Sequence, residues 1–201
     1  MVVASETFSE RNQGLTLAES MASAGRITAR ARERGLPVTV TVAASFGCPF
    51  EGEMAVEHVV DGARRCAAAG ATEVALAGTV GVAVPRDVRR LVGAVKAEIG
   101  VPLRIHLHNT RNTGYANALA AVDAGVGTLD ASSGGIGGCP FAPEATGNIA
   151  TEDLLYLLER SGIQSGVDRQ PLLAASARIE AALHRLNPAL LGRAGWFPSP
   201  S

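Results

Sequence analysis

His106 and His108 flank a single leucine in the run Arg104-Ile105-His106-Leu107-His108-Asn109. In an extended segment side chains alternate, so both imidazoles leave one face and Leu107 leaves the other. Two neutral imidazoles on one face can bind a divalent cation. The same pattern also fits one histidine buried in a hydrogen bond and the other half-exposed. A second feature lies downstream in Ser132-Ser133-Gly134-Gly135-Ile136-Gly137-Gly138-Cys139-Pro140. Such glycine density costs backbone entropy and suits a loop that needs left-handed backbone or close approach to a ligand. Cys139 at its end can serve as a proton donor or acceptor if a nearby charge favours the thiolate, or it can be a small buried hydrophobe. Asn148 offers an amide oxygen to a hard cation, or belongs to an ordinary turn before a helix. Asn109 and Arg111 follow the histidines and read as supporting or anion-binding groups, or as solvent-facing ones. Cys48, in the similar run Gly47-Cys48-Pro49-Phe50, shows that Gly-Cys-Pro-Phe alone is no catalytic mark, and Cys66 reads as helix packing.

The elements that must position these residues alternate between short Val-rich runs and longer amphipathic ones. Strands are expected at Val38–Ala44, Glu73–Ala77, Leu103–Leu107 and Gly127–Ala131, with a further one at Val2–Ala4. Helices are expected at Thr16–Arg34, where Thr16 and Glu19 form a capping box, at Met54–Ala69, from Pro85 to Ile99, and at Asn112–Ala124. Two more are expected at Thr151–Arg160, with Thr151 as N-cap, and from Pro171 to Leu186. Strand–helix alternation argues for a parallel sheet with right-handed crossovers, either doubly wound or barrel-like. No G-x-G-x-x-G follows the first strand, which counts against a dinucleotide site.

The chain has 201 residues, 47% of them hydrophobic and 18% charged, with a formal net charge of −1. That is one domain with a substantial core. The charge balance excludes a nucleic-acid partner, and no stretch is apolar enough for a membrane span. Three scattered cysteines are no disulfide framework, and with no signal-like N-terminus they point to the cytoplasm. The tail from Trp196 reads as poorly ordered.

Taken together, Arg104 to Thr110, Gly137-Gly138-Cys139-Pro140-Phe141-Ala142 and Gly147-Asn148-Ile149-Ala150-Thr151-Glu152-Asp153 resemble the signature of the 3-hydroxy-3-methylglutaryl-CoA lyases. These are metal-dependent lyase TIM barrels. The resemblance runs over residues 2–170 and includes Ala4 to Ser9, Phe46 to Gly52 and Gly78 to Val82. It implies an α/β fold, a partial TIM (β/α)8 barrel with strands equivalent to the fourth through eighth. Residues 1–188 would form the incomplete lyase domain and 189–201 a C-terminal tail. The implied activity is a carbon–carbon lyase that cleaves 3-hydroxy-3-methylglutaryl-CoA to acetoacetate and acetyl-CoA, a reaction of leucine degradation and ketone-body metabolism. His106, His108 and Asn148 fall on the metal positions, for Mg2+ or Mn2+, while Cys139 together with His106 makes up the catalytic set. The implied partners are an acyl-CoA substrate and either a second copy or a complementing N-terminal half.

The sequence departs from the family's pattern in two places. The first-strand Arg-Asp pair, whose Asp is a metal ligand, has no counterpart, because Met1 aligns near the fourth strand. Gly78 stands where the family has an active-site Asp. An inactive remnant is therefore the alternative to a lyase. A Claisen synthase fits the Cys139 loop less well.

Overall fold

The computed structural model describes residues 1–141 and 147–198. Five strands, β1 (Val2–Val3), β2 (Thr39–Ala43), β3 (Glu73–Gly78), β4 (Leu103–Leu107) and β5 (Thr128–Asp130), form one parallel sheet in the order β1-β2-β3-β4-β5. Between and after them run α1 (Glu6–Gln13), α2 (Leu17–Arg32), α3 (Val56–Ala68), α4 (Pro85–Glu98), α5 (Gly114–Asp123), α6 (Thr151–Arg160), α7 (Arg169–Leu183) and the short α8 (Leu191–Ala194). Neighbours in sequence are neighbours in the sheet, and the order never reverses. Right-handed crossovers in one direction put the helices on one face, as in a β/α barrel wall; a doubly wound sheet needs a reversal.

Register sorts the side chains between the two faces. Val74 pairs with Leu103 and Leu76 with Ile105, and these face the helices with Val40, Val42 and Leu107. There they bury against Val59 and Ala63 of α3, Val88, Leu91, Val92 and Val95 of α4, and Ala118 and Ala121 of α5. The opposite face carries Thr39, Glu73, Arg104, Thr128 and Asp130. On it, Arg104 bonds Glu73 at 2.8 Å and Asp130 at 2.6 Å. Thr39 and Thr128 donate to the same Glu73 carboxylate at 2.7 and 3.3 Å. Burial works against ionisation of Glu73, but the bonds from Thr39 and Arg104 hold its pKa below the usual carboxylate value.

Most expected elements are present, with ends shifted by up to about three residues. The Thr16–Glu19 capping box is formed. Thr151 is not an N-cap: it is already helical, Ala150 holds the cap position, and the Thr151 amide donates to Ser132 O at 3.0 Å. The last long helix starts before Pro171, because Asp168 caps it by accepting from the Gln170 amide. The tail is not loose through Pro198. The Trp196 ring lies edge-on to Tyr156 with centroids 4.9 Å apart, and Arg169 stacks over it at 4.5 Å. Among the described residues no helix is long and apolar enough to cross a membrane.

Candidate active site

Strand β4 ends in the two histidines. Leu107 between them is sealed against the helices, so His106 and His108 both project from the inner face with ring centroids 5.2 Å apart. His108 is buried. Burial pushes its pKa down to about 4, with the neighbouring His106 adding to the effect. Burial likewise lowers the pKa of His106, opposed by the Asp130 carboxylate and the Asn148 side chain. Both rings are therefore neutral near pH 7, the state in which an imidazole offers a lone pair.

Asn148 arrives from a different part of the chain. The Asn109 amide donates to Gly147 O at 3.0 Å and the Ile149 amide to Leu107 O at 3.3 Å, which lays Asn148 beside His108 as an antiparallel bridge. Its Nδ2 donates to Ile136 O at 2.9 Å, which fixes the amide's orientation and turns Oδ1 the other way. Gly137, at φ 103°, makes this possible: a Cβ there would stand 2.8 Å from Asn148 Nδ2. Asn148 Oδ1 and His108 Nδ1 are both buried and without a hydrogen-bond partner among the described residues. Each buried polar atom left without a partner costs about 1–3 kcal/mol; Asn148 Oδ1 is an acceptor, and His108 Nδ1 is one in the tautomer protonated at Nε2. Among the described residues no three His, Cys, Asp or Glu side chains converge on one point. A divalent cation here would take the two imidazoles and the Asn148 oxygen, a mixed nitrogen and oxygen set softer than the all-oxygen shell of the hardest cations.

Half-buried Cys139 packs against Val80, in the loop after β3, and against the cluster of Val3, Phe8, Ala43, Ala44 and Cys48. It makes no hydrogen bond to His106, His108 or Asn148 among the described residues. The glycine run that carries it is anchored at its start. Buried Glu152 of α6 accepts from the Gly134 amide at 2.8 and 3.0 Å, and Ala189 donates to Gly134 O at 3.2 Å. Cys66 is buried in α3, and burial pushes its pKa up to about 11. Ala142, also quoted in the resemblance, lies outside the described residues.

An HMGL-like family model matches residues 1–179. The chain belongs to the HMGL-like family. It is 45% identical over 196 residues to the (R)-citramalyl-CoA lyase of Chloroflexus aurantiacus, covering 97% of this chain and 62% of that protein. It is 39% identical over 183 residues to the mitochondrial hydroxymethylglutaryl-CoA lyase of Bos taurus, covering 90% and 56%. Among solved structures it matches an HMG-CoA lyase from Acinetobacter baumannii in complex with coenzyme A and 3-methylmalate. That match has a TM-score of 0.93 and 38% identity, and covers 100% of this chain and 66% of the other. The chain thus spans a little over half the length of the curated relatives it matches.

Within this HMGL-like chain two supporting residues have roles that their positions in the sequence do not announce, although Asp153 ends the quoted run from Gly147. Tyr115 on α5 accepts from the Ala150 amide at 2.9 Å, two residues past Asn148, and donates to Asp153 at 3.2 Å. Asp153 in turn accepts the Leu190 and Leu191 amides at the start of α8. Each is one polar residue on an amphipathic helix, indistinguishable by pattern from a solvent-facing one. A cavity of about 640 Å3 is lined in part by Asn148. It runs between Tyr115, Asp153 and Tyr156 on one side and Leu190, Leu191 and Phe197 on the other. A Cβ on Gly78 would meet Leu107, His106 O and Phe46 at an ordinary 3.5–3.6 Å. No close packing requires glycine there.

Proposed function

We propose that this chain carries the metal- and cysteine-bearing part of a CoA-thioester lyase that cleaves 3-hydroxy-3-methylglutaryl-CoA to acetoacetate and acetyl-CoA. The observation that carries the reading is the pair of buried polar atoms, His108 Nδ1 and Asn148 Oδ1, that have no partner among the described residues, next to His106 at the end of β4. His106, His108 and Asn148 would hold Mg2+ or Mn2+. When bound, that ion would lower the pKa of the substrate's tertiary hydroxyl. Burial keeps both imidazoles neutral and ready to donate lone pairs. Transfer of the hydroxyl proton to a water molecule acting as base lets the carbon–carbon bond break. The oxygen's electron pair becomes the new ketone, and the bond's pair moves to the thioester's α-carbon as an enolate. Cys139 donates the S–H proton to that carbon, and solvent returns a proton to the thiolate. The glycine run before it carries the thiol to its packing site against Val80.

The 45% identity to an (R)-citramalyl-CoA lyase supports (R)-citramalyl-CoA as a second substrate reading. The open sheet described above supports a form that works only with a complementing N-terminal segment or a second copy. Acetyl-CoA release from both thioesters, with Mg2+ or Mn2+ and after chelation, tests all of these. Metal-dependent release that disappears in His106→Ala is expected. Equal rates in both proteins would make the chain a remnant without lyase chemistry.

A further inference from the structure

We infer that Arg111 is the anion-recognition residue at the mouth of this site, binding a carboxylate or phosphate of the acyl-CoA, an inference that rests on the lyase reading above. Arg111 stands three residues past His108, on the segment that leads from β4 into α5. Its Nη1 donates to the Val80 carbonyl at 2.8 Å. That bond draws the guanidinium across to the loop after β3, and Val80 is also a residue on which Cys139 packs. The arginine and the cysteine thus meet the same short loop from different parts of the chain. The two strand ends are pressed together beneath them. Gly81, at φ 59°, sits where a Cβ would be 3.0 Å from Thr110. Any side chain there would push Arg111's segment away from Val80.

One guanidinium edge is therefore fixed by a neutral carbonyl, a bond that orders the side chain without neutralising it. Arg111 has no carboxylate within 4 Å among the described residues, whereas Arg64, Arg86 and Arg89 each have one and Arg104 has two. The side chain is exposed, so its remaining N–H groups face solvent at the rim. A planar fork with free donors suits a carboxylate or phosphate oxygen pair better than a lysine would. An acyl-CoA carries both candidate anions, the acyl carboxylate and the phosphates of the carrier.

The test compares the protein, in the longest form its gene encodes, with Arg111→Gln and Arg111→Lys. Calorimetry in Mg2+ measures binding of 3-methylmalate as a carboxylate probe and of coenzyme A as a phosphate probe. Loss of a charge-assisted contact corresponds to a weakening of about tenfold or more. We expect it in Arg111→Gln for one probe, with partial recovery in Arg111→Lys and an unchanged melting temperature. The weakened probe identifies the source of the anion. Unchanged binding of both probes in Arg111→Gln overturns the assignment, and so does absence of binding by the parent. A parent that binds a probe through Arg111 but releases no acetyl-CoA upholds the anion site and refutes the lyase reading. In an active protein the variant raises KM with little change in kcat; a fall in kcat alone would refute recognition as its role.

Discussion

At the scale of single residues the site depends on how the Asn148 amide is turned. Its Nδ2 is spent on Ile136 O, and Gly137 supplies the space for that bond. Gly137→Ala is expected to rotate or displace the amide and weaken Mn2+ binding about tenfold or more, with a smaller effect on stability. Unaltered Mn2+ affinity by calorimetry would contradict this. His108 allows a second prediction, at low pH in the absence of metal. Its folded-state pKa of about 4 lies below the ordinary 6.5, so the unfolded chain takes up the proton first. Stability therefore falls as pH drops through 6.5 and levels off below about 4, a loss on the order of 3 kcal/mol. Glu73, whose pKa is also depressed, loses stability in the same direction. The difference between parent and His108→Gln isolates the histidine. Melting curves from pH 7.5 to 4 are expected to be flatter for the variant, and identical slopes would count against the depressed pKa.

At the scale of elements, legibility followed how local the cause was. β4 appears at Leu103–Leu107 as expected, because alternation and β-branching are written in the segment itself. The capping box of α2 was readable for the same reason. α1 was missed: it is mostly polar, with Phe8 as its one large apolar anchor, and its Glu6 carboxylate accepts the Leu17 amide of the next helix. α8 was missed because four residues carry no periodicity and its start is capped from α6 by Asp153. The candidate ligands were read from strand alternation and from the resemblance. Tyr115 and the Val80 contact of Arg111 depend on distant partners and left no local trace, and Asp153 was legible as part of the quoted run but not as the cap of α8. Asp153→Ala removes the acceptor for two α8 amides, and a cost of about 1–2 kcal/mol is expected by analogy with lost caps. Trp196 is the chain's single tryptophan and packs on Tyr156 of α6. Its emission should shift to the red in the variant; unchanged emission and melting would show that the tail docks without Asp153.

At the scale of the whole molecule, the sheet has two free edges among the described residues. β1 pairs only with β2 and β5 only with β4, and the inner face between them carries Arg104 with its two carboxylates. Parallel sheets are normally covered on both faces, and unpaired edges invite further pairing. The 201-residue chain alone is expected to self-associate at micromolar concentration or to melt without a sharp transition. Sedimentation and calorimetry would refute this by showing a monomer that unfolds cooperatively.

The one-directional strand order also sets how firmly each backbone amide is held. β3 is the central strand, with a partner on each side over most of its length, and its apolar side chains are fully buried. β1 and β5 are two and three residues long and lie at the borders. Deuterium uptake is therefore graded across the sheet: fastest at β1 and β5, slower at β2 and β4, and slowest at Val74–Leu76. His106 sits one strand in from a border, so a binding partner that continues the sheet past β5 would slow exchange at β4 without touching either imidazole.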